Sequence, residues 1–285
     1  MSLAKTAAFL EMIKVSHTVF ALPFALGASF LAAGGMPSFP ILGKIILCVL
    51  FARTAAMAFN RIADRHIDGR NPRTAERALP AGTLSVRFAV GAALLSLAGF
   101  VATAAWINPL ALKLSPIAIA VVLGYSLTKR FTFLCHVVLG AALALAPVGA
   151  WVAVRGELAM TPWVLGGAVL LWTAGFDILY ACMDVDFDRK EGLHSVPARL
   201  GIRRSLWVAA ALHAAMVGCL FWLWTLVPLG GVFLAALIGV LALLVYEHSI
   251  VRPHDLSRVN RAFFTTNGVI SFTLMVALIV EATRG

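Results

Sequence analysis

Charged residues are scarce in this 285-residue chain. Asp, Glu, Lys and Arg together make up 13% of it, about half the roughly 25% usual in a soluble globular domain. That shortage excludes a water-soluble fold with an ordinary polar surface. Acids are the scarcer sign, 13 against 23 bases, so any place where acids gather stands out. The four cysteines, Cys48, Cys135, Cys182 and Cys219, form no CxxC pair. They read as small packing residues of apolar segments, with no disulfide, zinc or dithiol role. None of the seven histidines falls in an HExxH pattern, the spacing that marks a zinc hydrolase. His17, His66 and His194 are therefore weak candidates for any chemistry, with His194 the best of them. Long linkers and low-complexity tracts are also missing, so residues 1–285 read as a single domain.

What the chain does have is apolar length. Segments of about 20 residues, enough to cross a bilayer core of about 30 Å, recur near 15–33, 41–63, 84–107, 109–127, 134–154, 162–183, 204–226, 229–247 and 262–281. Backbone groups in lipid must bond within their own segment, so continuous runs of this kind mean helices. The expected fold is an all-α membrane protein, a bundle of nine transmembrane helices with a cytoplasmic loop cap. The first segment carries Pro23, runs on through "LPFALGASFLAAGG" and shows no small-residue cleavage pattern, so it reads as a retained span.

Connections alternate in character along this bundle. Of the 23 basic residues, 18 fall in the N-terminal segment or in the loops after spans 2, 4, 6 and 8. In a soluble chain a net charge of +10 would suggest nucleic acid; in a membrane protein it reports topology, and no nucleic-acid partner is expected. Lys and Arg stay on the cytoplasmic side, which puts the N-terminus inside, the C-terminus outside and the charged loops in the cytoplasm of an inner (plasma) membrane.

Two of those charged connections hold the unusual acids. "NRIADRHIDGR" (60–70) ends span 2 with Asp64 and Asp68, and "DILYACMDVDFDRK" (177–190) ends span 6 with Asp184 and Asp188. The pairs are offset by 120 residues, and each precedes a basic loop with Pro and Gly ("RALPAG", "VPARLG"), a faint sign of duplication. Aspartates at i and i+4 project from one helix face, where they repel unless a cation or strong donors hold them ionised. Asp186, two residues from each member of its pair, should face away. Oxygen-rich sites suit Mg²⁺, which takes one or two carboxylates and leaves the rest of its shell to phosphates. Arg73 and Arg77 follow the first pair in the sequence and Lys129 ends span 4 on the same side of the membrane, so all three are candidate cationic donors for a diphosphate. Arg53 lies two helical turns before Asn60, about 10 Å deeper on the same face; an intramembrane arginine is a functional-site hypothesis by default, and an acceptor carboxylate is its natural partner. Tyr125, one turn before Lys129, and Tyr180, one turn before Asp184, sit at the same depth as the acids.

These strings resemble the UbiA superfamily of intramembrane aromatic prenyltransferases. "NRIADRHID" has the N-x-x-x-D-x-x-x-D pattern, "YSLTK" (125–129) the Y-x-x-x-K pattern, and "DILYACMDVDFD" the D-x-x-Y-x-x-x-D-x-x-x-D pattern, in the family's order across the whole chain. The resemblance implies a Mg²⁺-dependent enzyme acting on a polyprenyl diphosphate and an aromatic acid acceptor within the lipid bilayer, with no obligate protein partner. By motif match Asn60, Asp64, Asp68, Asp184 and Asp188 would hold Mg²⁺ and diphosphate, and Lys129 would grip diphosphate. Tyr125, Tyr180 and Asp177 would line the cation or acceptor region, and Arg53 would meet the acceptor carboxylate. Arg61 departs from the family, where many members carry a second acid after the asparagine.

The acceptor is expected to be of the 4-hydroxybenzoate type; "HSVPARLG" and the first span look more like the futalosine branch of menaquinone synthesis, so a dihydroxynaphthoate is the alternative. An ion-coupled transporter is the alternative of another class, although transporters place their coupling sites near the midplane and these acids lie at span ends.

Overall fold

The computed structural model describes residues 3–14 and 20–284. A short helix α1 (Leu3–Met12) precedes α2 (Leu22–Ala33) and the long α3 (Phe39–Arg70); α4 (Val86–Ile107), α5 (Pro109–Thr128), α6 (Cys135–Arg155) and α7 (Met160–Ala181) follow. Two short helices, α8 (Val185–Lys190) and α9 (Val196–Leu200), lead to α10 (Ile202–Leu226) and α11 (Gly231–Ile250). The single turn α12 (Val259–Arg261) then passes through a π-helical turn (Ala262–Thr266) into α13 (Asn267–Arg284).

Among the described residues, eight helical stretches are long and apolar enough to cross a membrane. The ninth expected span is met by α2, whose twelve residues cover only about 18 Å; residues 15–19 and His17 lie outside the described residues. Outward faces carry large apolar side chains such as Leu95, Trp207 and Ile238, exposed by 74%, 72% and 63%, where a soluble protein would place polar ones. The chain is a multi-pass membrane protein.

Helix α7 is the centre of the bundle. Leu165, Val169, Trp172, Phe176 and Leu179 are each exposed by 2% or less, and the helix is walled by α6, α10 and α2. Gly140 on α6 permits close backbone approach of α6 to α7, because a Cβ there would stand 2.4 Å from the Leu170 carbonyl oxygen of α7. The core also holds a polar pin that no local pattern announced: the Trp172 indole donates to Asn267 Oδ1 at 2.6 Å, and Asn267 Nδ2 donates to the fully buried Glu247 at 2.9 Å.

Helix α3 runs well past its expected end at residue 63. Its 32 residues span about 48 Å, so its last turns stand beyond a hydrocarbon core of about 30 Å and carry Asp64 and Asp68 with them. The second acidic segment is built differently. Helix α7 stops at Ala181, a 3₁₀ turn covers Cys182–Asp184, and Asp184 precedes the first residue of α8. Asp184 and Asp188 therefore do not share one continuous α-helical face, which corrects the expectation from spacing. The break re-aims the chain so that Asp184 and Asp188 turn toward α3.

Candidate active site

Both acidic pairs meet in one small polar pocket of about 180 Å³, lined among others by Asp64, Asp68, Asp184, Asp188, Asn60 and Lys129. Their sequence separation of 120 residues is closed by the crossing of α3 against the α7–α8 connection. An exposed ion pair, Arg70 Nη2 to Glu191 Oε2 at 2.7 Å, ties the far ends of these two segments; such a surface pair adds at most about 1 kcal/mol.

Three of the four carboxylates are held by cations. Asp64, only 3% exposed, accepts from Lys129 Nζ at 3.0 Å and Arg130 Nη2 at 2.9 Å. Asp68 accepts from Arg77 Nη1 at 2.8 Å, with Arg61 Nη1 at 3.9 Å from its other oxygen. Asp184 takes both arms of the Arg73 guanidinium and an amide hydrogen bond from Asn71 at 3.0 Å. Asp188 accepts instead from Ser195 Oγ at 2.8 Å. Burial pulls Arg73 toward losing its proton; its ion pair with Asp184 and its bond to the Tyr180 hydroxyl (2.9 Å) outweigh that, so its pKa is raised above the ordinary guanidinium value. The cluster is a compact lattice in which Asp64, Asp68 and Asp184 are each paired with cations, as buried charges require, and Asp188 alone is held by a neutral hydroxyl.

Asn60 donates to Asp64 Oδ2 at 3.2 Å and accepts from Arg61 at 3.3 Å, so in this state its amide orients a carboxylate. Lys129 caps α5 and brings its ammonium to Asp64, as its place one turn after Tyr125 suggested. Asp186 is exposed, facing away from its neighbours as expected. His66 is exposed, and the backbone N–H of His194 donates to the Lys129 carbonyl at 2.7 Å; neither imidazole enters the pocket lining.

A second and far larger cavity, about 1030 Å³, opens from the polar pocket and shares Asn60, Arg61, Arg73 and Arg77 with it. Its walls are mostly apolar side chains of α3 to α7, with Tyr125, Tyr180 and Asp177 among them. Arg53 also lines it, and its Nη2 donates to the Lys14 carbonyl at 2.9 Å. Phe263, presented by the π-helical turn, packs on the Tyr180 ring at 4.3 Å and on Phe176 at 5.2 Å. The site thus divides into a charged head chamber and a long greasy one, with Tyr180 at the junction: its ring belongs to the aromatic wall and its hydroxyl to the arginine lattice.

Among the described residues no three His, Cys, Asp or Glu side chains converge as a ready-made metal cage. The donor set nevertheless fits a hard divalent cation. All four acids offer oxygen, the buried Asp68 Oδ2 has no hydrogen-bond partner, and such a cation takes few protein ligands where phosphate oxygens complete its shell.

Arg61, Asn71, Arg130 and Ser195 were missed from sequence. Arg61 and Arg130 directly follow motif residues, which is the one signal that pointed to them; Asn71 and Ser195 are polar residues in loops full of polar residues. Arg61 stands where many UbiA members carry an acid, and here it is buried at 7% exposure between Asn60 and Asp68. It compensates a carboxylate in place of adding one.

The architecture is shared with solved proteins. A UbiA homolog from Aeropyrum pernix K1, solved without ligand, superimposes with a TM-score of 0.85 at 34% identity, covering 94% of this chain and 98% of that one. A UbiA homolog from Archaeoglobus fulgidus bound to GPP and Mg²⁺ has the same fold, with a TM-score of 0.76 at 22% identity over 98% of this chain and all of that one. A 4-hydroxybenzoate solanesyltransferase of Synechocystis sp. is 32% identical over 258 residues, 90% of this chain and 88% of that protein. The model of the UbiA prenyltransferase family matches residues 21–269. With the two acidic segments joined at the head of a greasy cavity and this likeness running along almost its entire length, the chain belongs to the UbiA prenyltransferase family.

Proposed function

We propose that this protein transfers a polyprenyl group from a polyprenyl diphosphate to an aromatic acid of the 4-hydroxybenzoate type, working as one catalytic unit over residues 1–285. One observation carries the reading: a polar chamber holding four carboxylates and five cationic side chains opens directly into an apolar cavity of about 1030 Å³. A polyprenyl diphosphate has the same division, charged at one end and hydrocarbon along the rest.

Asp64, Asp68, Asp184 and Asp188, with Asn60, would hold Mg²⁺; when bound, the ion supplies positive charge to the departing diphosphate. Arg73 and Arg77 would add the cationic grip on the diphosphate. They pair with Asp184 and Asp68, and their guanidiniums would grip phosphate oxygens bidentately once those carboxylates held Mg²⁺. Lys129 and Arg130, paired with Asp64, would do the same from the α5 side. Tyr180, with Arg73 on its hydroxyl and Phe263 on its ring, and Tyr125 would flank the allylic carbon, where their faces favour developing positive charge. Arg53, deeper in the cavity, would receive the acceptor carboxylate in exchange for the Lys14 carbonyl.

The same residues support a side of the membrane. Loops bearing the lattice are the basic ones, and α1 packs its Met12 beside Ala58, Leu79 and Leu84 at that end, which favours a cytoplasmic N-terminus and active site in an inner membrane. Glu281, near the other terminus, binds the N–H groups of Gly230 and Phe233 at the opposite end of α11, which favours an outward C-terminus. Acids at the helix ends count against an ion-coupled transporter.

Membranes containing the protein, supplied with a polyprenyl diphosphate, Mg²⁺ and either 4-hydroxybenzoate or a dihydroxynaphthoate, test the reading by mass spectrometry of prenylated product. Product with 4-hydroxybenzoate is expected; product with the naphthoate alone would move the protein to the menaquinone acceptor. Arg53→Ala should raise the KM for the acid by about 10- to 100-fold, the worth of a charged hydrogen bond, and leave that for the prenyl diphosphate within about twofold. An unchanged acceptor KM would remove Arg53 from this role.

A further inference from the structure

His136 was not singled out in the sequence, and it stands directly behind Asp177, which lines the large cavity. It begins α6, is 3% exposed, and has both ring nitrogens engaged. Nδ1 lies 2.7 Å from Asp177 Oδ2, and Nε2 receives the backbone N–H of Val196 at 3.2 Å. A backbone N–H can only donate, so Nε2 must be the bare, accepting nitrogen. That fixes the tautomer: the ring proton sits on Nδ1 and points at Asp177.

Asp177 is the one carboxylate that α7 contributes to the large cavity, beside Tyr180. With Oδ2 held by the imidazole, Oδ1 has no protein partner among the described residues, and the carboxylate keeps a quarter of its surface open. Joining a prenyl carbon to an aromatic ring breaks the allylic C–O bond, whose electron pair leaves with the diphosphate. The ring supplies the pair for the new C–C bond, and the acceptor must give up one proton. Asp177 Oδ1 is the open acceptor for it, becoming a neutral acid that later returns the proton to water.

We infer that His136 is the positioning residue for Asp177, holding it through the Nδ1–H bond so that its free oxygen meets the acceptor. This rests on the prenyl-transfer reading above. The backbone bond to Val196 extends the hold: Val196 follows Ser195, whose hydroxyl binds Asp188 in the head chamber. One imidazole thus ties the acid of the acceptor cavity to the loop that orients an acid of the phosphate pocket.

Glutamine can imitate both contacts, an amide N–H for Asp177 and a carbonyl for Val196, whereas leucine can make neither. His136→Leu is expected to lower kcat about 10²-fold, the cost of misplacing a reacting group, with the KM for prenyl diphosphate nearly unchanged. His136→Gln should restore most of that kcat. Asp177→Asn should lose as much as His136→Leu, and the double variant no more than either alone. Nitrogen-15 NMR of the full chain, histidine-labelled in lipid nanodiscs, should show the His136 ring protonated at Nδ1 only. Protonation at Nε2, wild-type turnover by His136→Leu, or failure of Gln to rescue would each overturn the inference while wild-type product leaves the functional reading standing. No product from the wild-type chain with any aromatic acid would overturn both.

Discussion

Asp64→Asn and Asp184→Asn should each lower turnover by roughly 10²–10³-fold or more, the range seen when one group stabilising transition-state charge is removed. Asp186→Asn should stay within about twofold, as exposed substitutions do. The asparagine variants keep the shape of the head chamber and remove one charge, so thermal unfolding in detergent separates lost chemistry from lost folding. The contrast is demanding because Asp186 lies only two residues from Asp184 and shares its composition and neighbourhood. What separates them is direction: Asp184 lies in the grip of Arg73 and Asn71, and Asp186 faces solvent. Equal losses at all three positions would mean that net acidity of the segment matters and side-chain placement does not. Asp64→Ala is the harsher test. It leaves Lys129 and Arg130 without their shared partner, and breaking a buried pair costs about 3–5 kcal/mol, so its loss of activity would mix both causes.

Gly140→Val should be the most damaging substitution far from the acids. A Cβ at this position meets the Leu170 carbonyl oxygen at 2.4 Å and its Cα at 3.1 Å, so α6 and α7 must move apart. Forcing atoms into a packed interface costs about 1–3 kcal/mol, occasionally more, and helix association in lipid depends on close approach at small residues. The consequence reaches the site, since Gly140 lies one helical turn after His136 and Leu170 two turns before Asp177. A lower unfolding temperature is expected, together with loss of the His136–Asp177 bond and of acceptor turnover. Gly167→Ala on α7 is the control. Nothing lies within 4 Å of a Cβ there, and alanine gains up to about 1 kcal/mol of helix propensity over glycine. If Gly140→Val unfolds at the wild-type temperature, α6 and α7 can separate freely and the packing account is wrong.

Much of this protein was determined by the sequence alone, for a plain physical reason. Lipid leaves a backbone no partner but itself, so long apolar runs dictate helices, and the few ionisable residues must sit at helix ends or be functional. That reasoning found the helical membrane fold, both acidic pairs, Lys129 at the end of α5, Arg53 at the cavity wall and the outward-facing Asp186. Each of these is a local fact of spacing on one helix. Local spacing also misled once, where a 3₁₀ turn interrupts the helix between Tyr180 and Asp188 and a uniform period of 3.6 no longer applies.

Tertiary structure alone decided which residues from different helices meet. The pairings Asp64 with Arg130, Asp184 with Asn71 and Arg73, and His136 with Asp177 join positions 41 to 113 residues apart, and no periodicity carries such information. Whether Arg61 adds to or compensates the acids was equally unreadable, because a charge in sequence has no direction until its helix has neighbours. The division into a head chamber and an apolar one likewise came from packing, where α3 overhangs the bilayer and α7 breaks, and their acids are brought to face each other across one gap.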